Sequence, residues 1–321
     1  MKSSTSSIHS RTDTRVLYYH PTCLRALSAR NSSLIGNDES SLSSGPCQNS
    51  ISHTRTDNNR AVMLLLARDD INPNKPDNGG RTPLLWASLN GHEEVVRLLL
   101  ARGDVNLNKP DNNGQTPLLW ASLNGHEEVM RLLLARDDIN PDNPDTDSRT
   151  PLWVAPDYGH KEMVRLLLAR GDVNPDKPDN DGRTPLWMAS CSGHEEVVRL
   201  LLARDDANPD KPDNDGIAPL WAASDYGYEE VVRLLLARGD VNPDKPENDG
   251  QTPLWAASYS GHEEVVRLLL ARDDVNPNKP DNRGRIPLWW ASRNGHEGVV
   301  RLLLAPGAVN ADKPDNDGIT S

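Results

Sequence analysis

The chain has 321 residues, a formal net charge of −12, 25 prolines, three cysteines and no phenylalanine. Three cysteines, odd in number and unpatterned, argue against a disulfide framework and fit a reducing compartment, and there is no run of 18 apolar residues to cross a membrane. The acid excess is uneven: residues 1–60 hold seven Lys+Arg against four Asp+Glu, net +3, which leaves −15 for the remainder, and so negative a surface disfavours nucleic acid, whose phosphates need a cationic face.

Residues 1–57 are rich in serine and keep no helical or strand period. Such a segment cannot bury enough surface to offset its chain entropy, and it reads as a disordered leader. Scattered arginines and few acids are also features of a transit peptide, but no amphipathic helix accompanies them, and a plain flexible leader is the preferred interpretation. No apolar stretch of the length of a secretory signal is present. Residues 58–66 (NNRAVMLLL) align with residues 92–100 (HEEVVRLLL). They predict a second helix without its first partner, an N-terminal half-repeat over residues 58–80.

From there a 34-residue unit recurs, most clearly as RTPLWMASCSGHEEVVRLLLARDDANPDKPDNDG at residues 183–216. Its proline falls at Pro83, Pro117, Pro151, Pro185, Pro219, Pro253 and Pro287 without a slip. A fixed period of this size marks stacked repeats. Within the unit, Thr184 is a good helix N-cap and Pro185 suits the first helical position, where its missing donor is not needed. A short first helix through Leu186, Trp187, Met188 and Ala189 should end at Gly193. Glu195 and Glu196 then favour the positive end of a second helix, whose apolar face is Val197, Val198, Leu200, Leu201 and Leu202. Glu195 and Arg199 have the spacing of a surface ion pair. Residues 205–216 carry Asp, Asn, Pro and Gly, which is turn chemistry. One helix pair cannot bury its own apolar face, so neighbours must stack and the core must run along the array. In the third unit Pro156 lies inside the first helix, which predicts a shortened or kinked helix over residues 151–158.

The segment DNDGRTPLWMASCSGHEEVVRLLLARDDANPD at residues 179–210 resembles the ankyrin repeat, with its turn, T-P-L-H-x-A, G-H, V-V-x-L-L-L and V-N tail. The resemblance spans residues 58–321 and implies an all-α ankyrin-repeat solenoid of stacked helix-turn-helix units joined by long Pro/Asp-rich loops, with seven repeats over residues 81–318. Two departures are systematic. The family's histidine in T-P-L-H is Trp153, Trp187, Trp221, Trp255 and Trp289 in five repeats and Leu85 and Leu119 in two, which predicts a ladder of indoles, each seeking a partner for its N–H. The family's usual period is 33 residues, and the extra residue here falls in the N-P-D-K-P-D loop, where prolines cannot donate to a strand ladder. The sequence closes on DNDGITS, the opening of a further repeat, so that a regulatory or sensing segment of a larger protein is the alternative expectation.

Catalytic chemistry finds no support. There is no G-x-x-x-x-G-K-[ST], G-x-G-x-x-G or G-x-S-x-G. His92, His126, His160, His194, His262 and His296 recur once per repeat, and in the family this histidine starts the second helix and bonds locally; Tyr228 replaces it in one repeat. DKPDNDG at residues 176–182 fails as a calcium loop, because Lys177 would occupy the first ligand position and Met188 the twelfth. No enzyme, cofactor or metal site is expected. What remains is surface. In the family, partners dock on the concave side, formed by loop tips and first helices. The second helix is nearly constant, with GHEEVVRLLLAR unaltered three times, while the positions that carry over to that side vary. The candidate protein-binding residues are Asp157, Tyr158, Asn180, Asp181, Arg183, Cys191, Ser192, Asp215, Asp225, Tyr226, Asp249, Tyr259, Arg283 and Arg293. Aromatic anchors among them suit an interface. The expected partner is a protein with a basic or polar patch, bound by an intracellular, cytoplasmic or nuclear monomer.

Overall fold

The structure is a computed structural model and describes residues 71–305 and Asn316, all within the unit His53–Ser321. The leader expected over residues 1–57 and the second helix expected over residues 58–66 lie outside the described residues. Among the described residues fourteen helices follow in pairs: α1 Pro83–Leu89, α2 Glu93–Leu100, α3 Pro117–Leu123, α4 Glu127–Leu134, α5 Pro151–Asp157, α6 Lys161–Leu168, α7 Pro185–Cys191, α8 Glu195–Leu202, α9 Pro219–Tyr226, α10 Glu229–Leu236, α11 Pro253–Ser260, α12 Glu263–Leu270, α13 Pro287–Asn294 and α14 Glu297–Leu303. Each first helix packs on the first helices beside it, each second helix on second helices, and the two of a pair on one another. The fold is an all-helical solenoid, and one apolar core runs through it from Leu84 to Leu303.

The first helices start where the T-P pair places them. Thr82, Thr116, Thr150, Thr184 and Thr252 hold extended backbone, and each hydroxyl accepts the N–H three residues on, at 3.1–3.2 Å. Ala218 and Ile286 have the same backbone but no such cap. The threonines that occupy this site elsewhere are as buried as Ala218, so the space for a hydroxyl exists. Ala218→Thr is expected to stabilise the fifth repeat by about 1 kcal/mol, read as a higher urea midpoint; an unchanged midpoint would show that the missing cap costs nothing.

Pro156 does not shorten its helix. The α5 helix has seven residues, like α1, α3 and α7. The proline sits at the penultimate position, where only the last turn is affected, and the Tyr158 N–H turns to the Pro156 carbonyl instead of one four residues back. Its counterparts are serines, buried at Ser88, Ser122, Ser190, Ser224 and Ser258, so the ring occupies space already closed to water.

Long contacts between repeats, rather than local ones, hold the turns. The side chains of His126, His262 and His296 do not bond locally. His126 Nε2 lies 2.9 Å from the Leu89 carbonyl, His262 the same distance from that of Asp225, and His296 from that of Tyr259, each the end of the preceding first helix. The ring covers a glycine of that repeat: a Cβ on Gly125, whose φ is +71°, would meet the His160 ring at 2.9 Å. Glycine is needed there both for its left-handed backbone and for this approach. Burial holds the His160 ring below its usual pKa, with the Leu123 carbonyl acting in the opposite sense.

The second helices are stitched by arginines just beyond their ends. Arg204 grips Asp206 with Nε and Nη2 at 2.8 and 2.7 Å and donates from Nη1 to the Leu168 carbonyl at 3.0 Å. Arg170, Arg238 and Arg272 repeat this on Leu134, Leu202 and Leu236, satisfying carbonyls that a helix end leaves open. The Glu195–Arg199 pair expected from spacing is replaced: Arg199 meets Glu196 at 3.7 Å and Glu230 of the next repeat at 3.5 Å.

There is no strand among the described residues. Each loop tip is instead a turn closed on its acidic residue. The Asp179 N–H donates to the Arg183 carbonyl at 3.0 Å, and Asp179 Oδ1 accepts from the N–H groups of Asp181 and Arg183. Among the described residues no helix is long and apolar enough to cross a membrane.

Candidate functional site

The loop tips form one continuous edge. Backbone N–H groups of Asn180, Asn214, Asn248 and Asn282 donate to the carbonyls of Asp147, Asp181, Asp215 and Asp249 in the preceding repeat, at 2.9–3.1 Å. The asparagine side chains are consumed in the same edge: Asn180 Nδ2 donates to the Thr146 carbonyl and its Oδ1 accepts from Ser148. Asn180 therefore contributes to stacking rather than offering a free amide. The next residue of each tip, Asp147, Asp181, Asp215, Asp249 and Arg283, is exposed.

The acid that closes the tip is buried at Asp111, Asp145, Asp213, Glu247 and Asp281, half-buried at Asp179 and exposed at Asp77, and its company differs between repeats. Asp145 holds Arg149 at 2.7 Å. Asp77, Asp111 and Asp281 each accept an indole N–H, from Trp86, Trp120 and Trp290. In the fifth repeat Ile217 and Ala222 stand at the positions of that arginine and indole. Burial, uncompensated by either, pushes Asp213 up to about 6. Glu247, between Gln251 and Ala256, is raised for the same reason.

The first-helix ends supply the rest of the face. Tyr158 is 43 % exposed and stacks on His160 at 5.9 Å. Tyr226 stacks on Tyr228, and its hydroxyl is pushed up to about 12, chiefly by burial and then by Asp225. Asp225 accepts from the Ser260 hydroxyl at 3.0 Å. Tyr259 lies face to face with Trp255 at 5.2 Å and edge-on to Trp290 at 5.3 Å. Ser192 is half-buried and Arg293 exposed. Two candidates fall short of the surface. Asp157 is 8 % and Cys191 4 % exposed, because the last turn of the first helix rotates this position toward its neighbours. Cys191 is disulfide-bonded, where the odd cysteine count had argued against a disulfide framework. Arg183 is a packing residue as much as a surface one: it pairs with Asp181 at 3.1 Å and lies over the Trp187 ring at 5.2 Å.

The indole ladder is real but not uniform. Trp153 Nε1 donates to the Arg183 carbonyl at 2.7 Å and Trp187 Nε1 to that of Ile217 at 2.9 Å, each one repeat ahead. Trp255 Nε1 is buried without a hydrogen-bond partner among the described residues, and the ring is held by Tyr259 and Trp290 instead. Trp289 lies between Arg285 and Arg293, whose guanidinium carbons are 4.7 and 5.2 Å from its centroid. Sequence reasoning placed Trp289 in the ladder and Arg293 on the face without foreseeing that the two stack, and it passed over Trp86, which is 39 % exposed. The doubled tryptophan at 289–290 was the available signal. Among the described residues no three His, Cys, Asp or Glu side chains gather where they could hold a metal ion, and the rings of His126, His160, His262 and His296 are committed to carbonyls of the preceding repeat.

Comparison with known proteins agrees with this architecture. The family described as ankyrin repeats (3 copies) matches over residues 53–145, 103–176, 137–215, 172–246 and 220–317. Among solved structures, the chain is similar to the ankyrin repeat domain of Bcl-3, described as a unique member of the IkappaB protein family. That likeness has a TM-score of 0.62 and 29 % identity, and it covers 71 % of this chain and 100 % of that one. No curated protein matches the chain.

Proposed function

The chain belongs to the ankyrin-repeat family, and from that premise we propose that it is a non-enzymatic scaffold, a monomer that binds a protein partner on the concave face made by its loop tips and first helices. An interaction module is what such repeats are; the concave face is the part that this chain's own residues support. The observation that carries it is the contrast between a second helix kept nearly constant and a face on which Leu, Asp, Tyr and Arg alternate at equivalent positions. Tyr158, Tyr226 and Tyr259 are held in place by stacking on His160, Tyr228 and Trp255, and rigid aromatics lose little entropy when they bind. Asp181, Asp215 and Asp249 are exposed beside them, which favours a partner with a basic or polar patch through complementary charge. Residues 58–321 are proposed as the binding unit and residues 1–57 as a leader to it, in an intracellular setting.

The test uses the full chain as bait, with partners quantified by mass spectrometry. Replacing Tyr158, Tyr226 and Tyr259 together by alanine is expected to lower recovery of the specific partner by about tenfold or more, while far-UV circular dichroism stays unchanged. Tyr158→Ala alone, at the most exposed of the three, should give a smaller loss with no change in stability. Full retention of every partner by a folded triple variant would sink the concave-face assignment.

A further inference from the structure

The loop tips share an arrangement that two of them leave incomplete. In the third repeat one guanidinium bridges both acids of its tip. Arg149 Nη2 lies 2.7 Å from Asp145 Oδ2 and 2.8 Å from Asp147 Oδ2, and Nε donates to Asp145 Oδ2 at 2.9 Å. In the fourth, Arg183 pairs with Asp181 at 3.1 Å. The fifth and sixth repeats keep the two acids, Asp213 with Asp215 and Glu247 with Asp249, but Ile217 and Gln251 stand in place of the arginine. Lys211 and Lys245, two residues before each buried acid, donate instead to the Asp176 and Asp210 carbonyls of the preceding loop. Asp215 and Asp249 are exposed, and neither has an ion pair among the described residues. Asp213 is 8 % exposed, and its Oδ1 accepts the N–H groups of Asp215 and Ile217 at 3.0 and 2.9 Å. Its Oδ2 has no hydrogen bond among the described residues. That is the atom which Arg149 or an indole satisfies in other repeats. A nearly buried carboxylate oxygen without a donor is costly, and burial holds this carboxyl up at about 6, opposed chiefly by backbone N–H groups and only weakly by Arg183 of the neighbouring tip.

We infer that the partner completes the fifth and sixth tips with two arginines of its own, one guanidinium on Asp213 and Asp215 and the other on Glu247 and Asp249. Each takes the role that Arg149 fills from within the chain. This rests on the concave-face reading above and names the side chains that are bound there. Arginine rather than lysine fits, because the planar fork of a guanidinium can bridge two carboxylates as Arg149 does, whereas an ammonium is a point charge. The spacing follows from the stacking of repeats. Adjacent helices pack roughly 8–10 Å apart, and an extended chain advances about 3.3–3.6 Å per residue. Arginines about three residues apart on an extended segment, Arg-x-x-Arg, therefore reach neighbouring tips. Glu247 is prepared in the same way as Asp213: its two oxygens hold the N–H groups of Gln251 and Asp249 at 2.9 and 2.8 Å, and no arginine of its own repeat stands beside it.

The experiment uses the full chain and fluorescence anisotropy with end-labelled 12-residue peptides of otherwise neutral sequence. One carries Arg-x-x-Arg, a second Lys-x-x-Lys, and a third two arginines at opposite ends. The first is expected to bind about tenfold tighter than either of the others. The decisive variant fills the two places from within: Ile217→Arg with Gln251→Arg. It should lower the affinity for the Arg-x-x-Arg peptide about tenfold while the urea midpoint stays the same or rises, because Arg149 and Arg183 already occupy this position in the same fold. Asp215→Asn with Asp249→Asn, both at exposed positions, should weaken the same peptide and keeps the test decisive if the filled variant folds poorly. Equal binding of the arginine and lysine peptides would overturn the inference, as would indifference to arginine spacing, or a folded, filled variant that binds as tightly as the parent. Displacement of the peptide by equimolar spermine would also overturn it, since a site for any cation needs no guanidinium. The pull-down separates this from the broader reading. A partner lost on changing the three tyrosines but kept by the filled variant leaves the concave face standing and removes the arginine pair. A partner that survives the tyrosine changes as well removes the face itself.

Discussion

Replacing Asp142, Asp176, Asp210 and Asp244 together by asparagine is expected to stabilise the array by about 4 kcal/mol at pH 7, about 1 kcal/mol at each site. The repeats themselves provide the comparison. At the same position of the first two repeats stand Asn74 and Asn108. Asn108 Oδ1 accepts the Asn140 N–H at 2.8 Å while its Nδ2 donates to the Asp138 carbonyl at 2.7 Å, and Asn74 does the same with Asn106 and Asp104. Each asparagine thus closes both halves of a link to the next repeat. The aspartates keep only one. Asp142 Oδ2 accepts the Asn174 N–H at 2.9 Å; Asp210 and Asp244 accept from Asn242 and Asn276 in the same way. The Oδ1 atoms of these three are buried without a partner, at the place where an asparagine carries its donor.

The pH dependence separates this account from a general effect of removing charge. Burial raises all four carboxyls above their ordinary value, with a neighbouring aspartate adding to it in each case. A raised carboxyl binds its proton more tightly in the folded chain, so its stabilising contribution is present at low pH and is lost as pH rises through the folded value. A protonated aspartate can also donate where asparagine does. The gain of the fourfold variant over the parent should therefore be largest at pH 7 and shrink towards pH 4. The sites lie in separate repeats, so the four effects should add. Urea titrations at the two pH values decide it: a variant less stable than the parent, or a gain that does not fall with acid, refutes the missing-donor account.

The second large effect is a loss. Trp153 is 1 % exposed and its indole bridges the third repeat to the fourth through the Arg183 carbonyl. Trp153→Ala is expected to cost about 3–5 kcal/mol, the usual range for emptying so large a site. Trp153→Phe keeps most of the packing and leaves the Arg183 carbonyl its bond from the Asp179 N–H, so it should cost only about 0.5–1.5 kcal/mol, the usual net worth of one lost hydrogen bond. Because stability in a stacked array is carried by units and the interfaces between them, the loss should concentrate at one junction. Amide exchange should quicken in the third and fourth repeats before it does in the first or seventh. Uniform acceleration along the chain would instead mean that the array unfolds as a single cooperative unit.

Much of this architecture is legible in the residues alone, because it depends on neighbours in sequence. Thr184 before Pro185 starts a helix, Gly193 ends it, and Val197, Val198 and Leu201 turn one face inward whatever lies against them. The 34-residue period then requires stacking, since no single pair can bury that face. Other features were decided only when one repeat met the next. His126 reaches the carbonyl of Leu89 rather than a local group, Arg204 that of Leu168, Trp153 that of Arg183, and Arg199 finds Glu230 in preference to Glu195. These partners lie some thirty residues apart, and which atoms meet depends on the rise and rotation between repeats. A period states that equivalent contacts recur without stating which they are. The same rotation takes Asp157 and Cys191 out of the candidate face while Arg293 comes to lie over Trp289, so the membership of the face was a property of the packed array, as its alternation of residues along the chain was a property of the sequence.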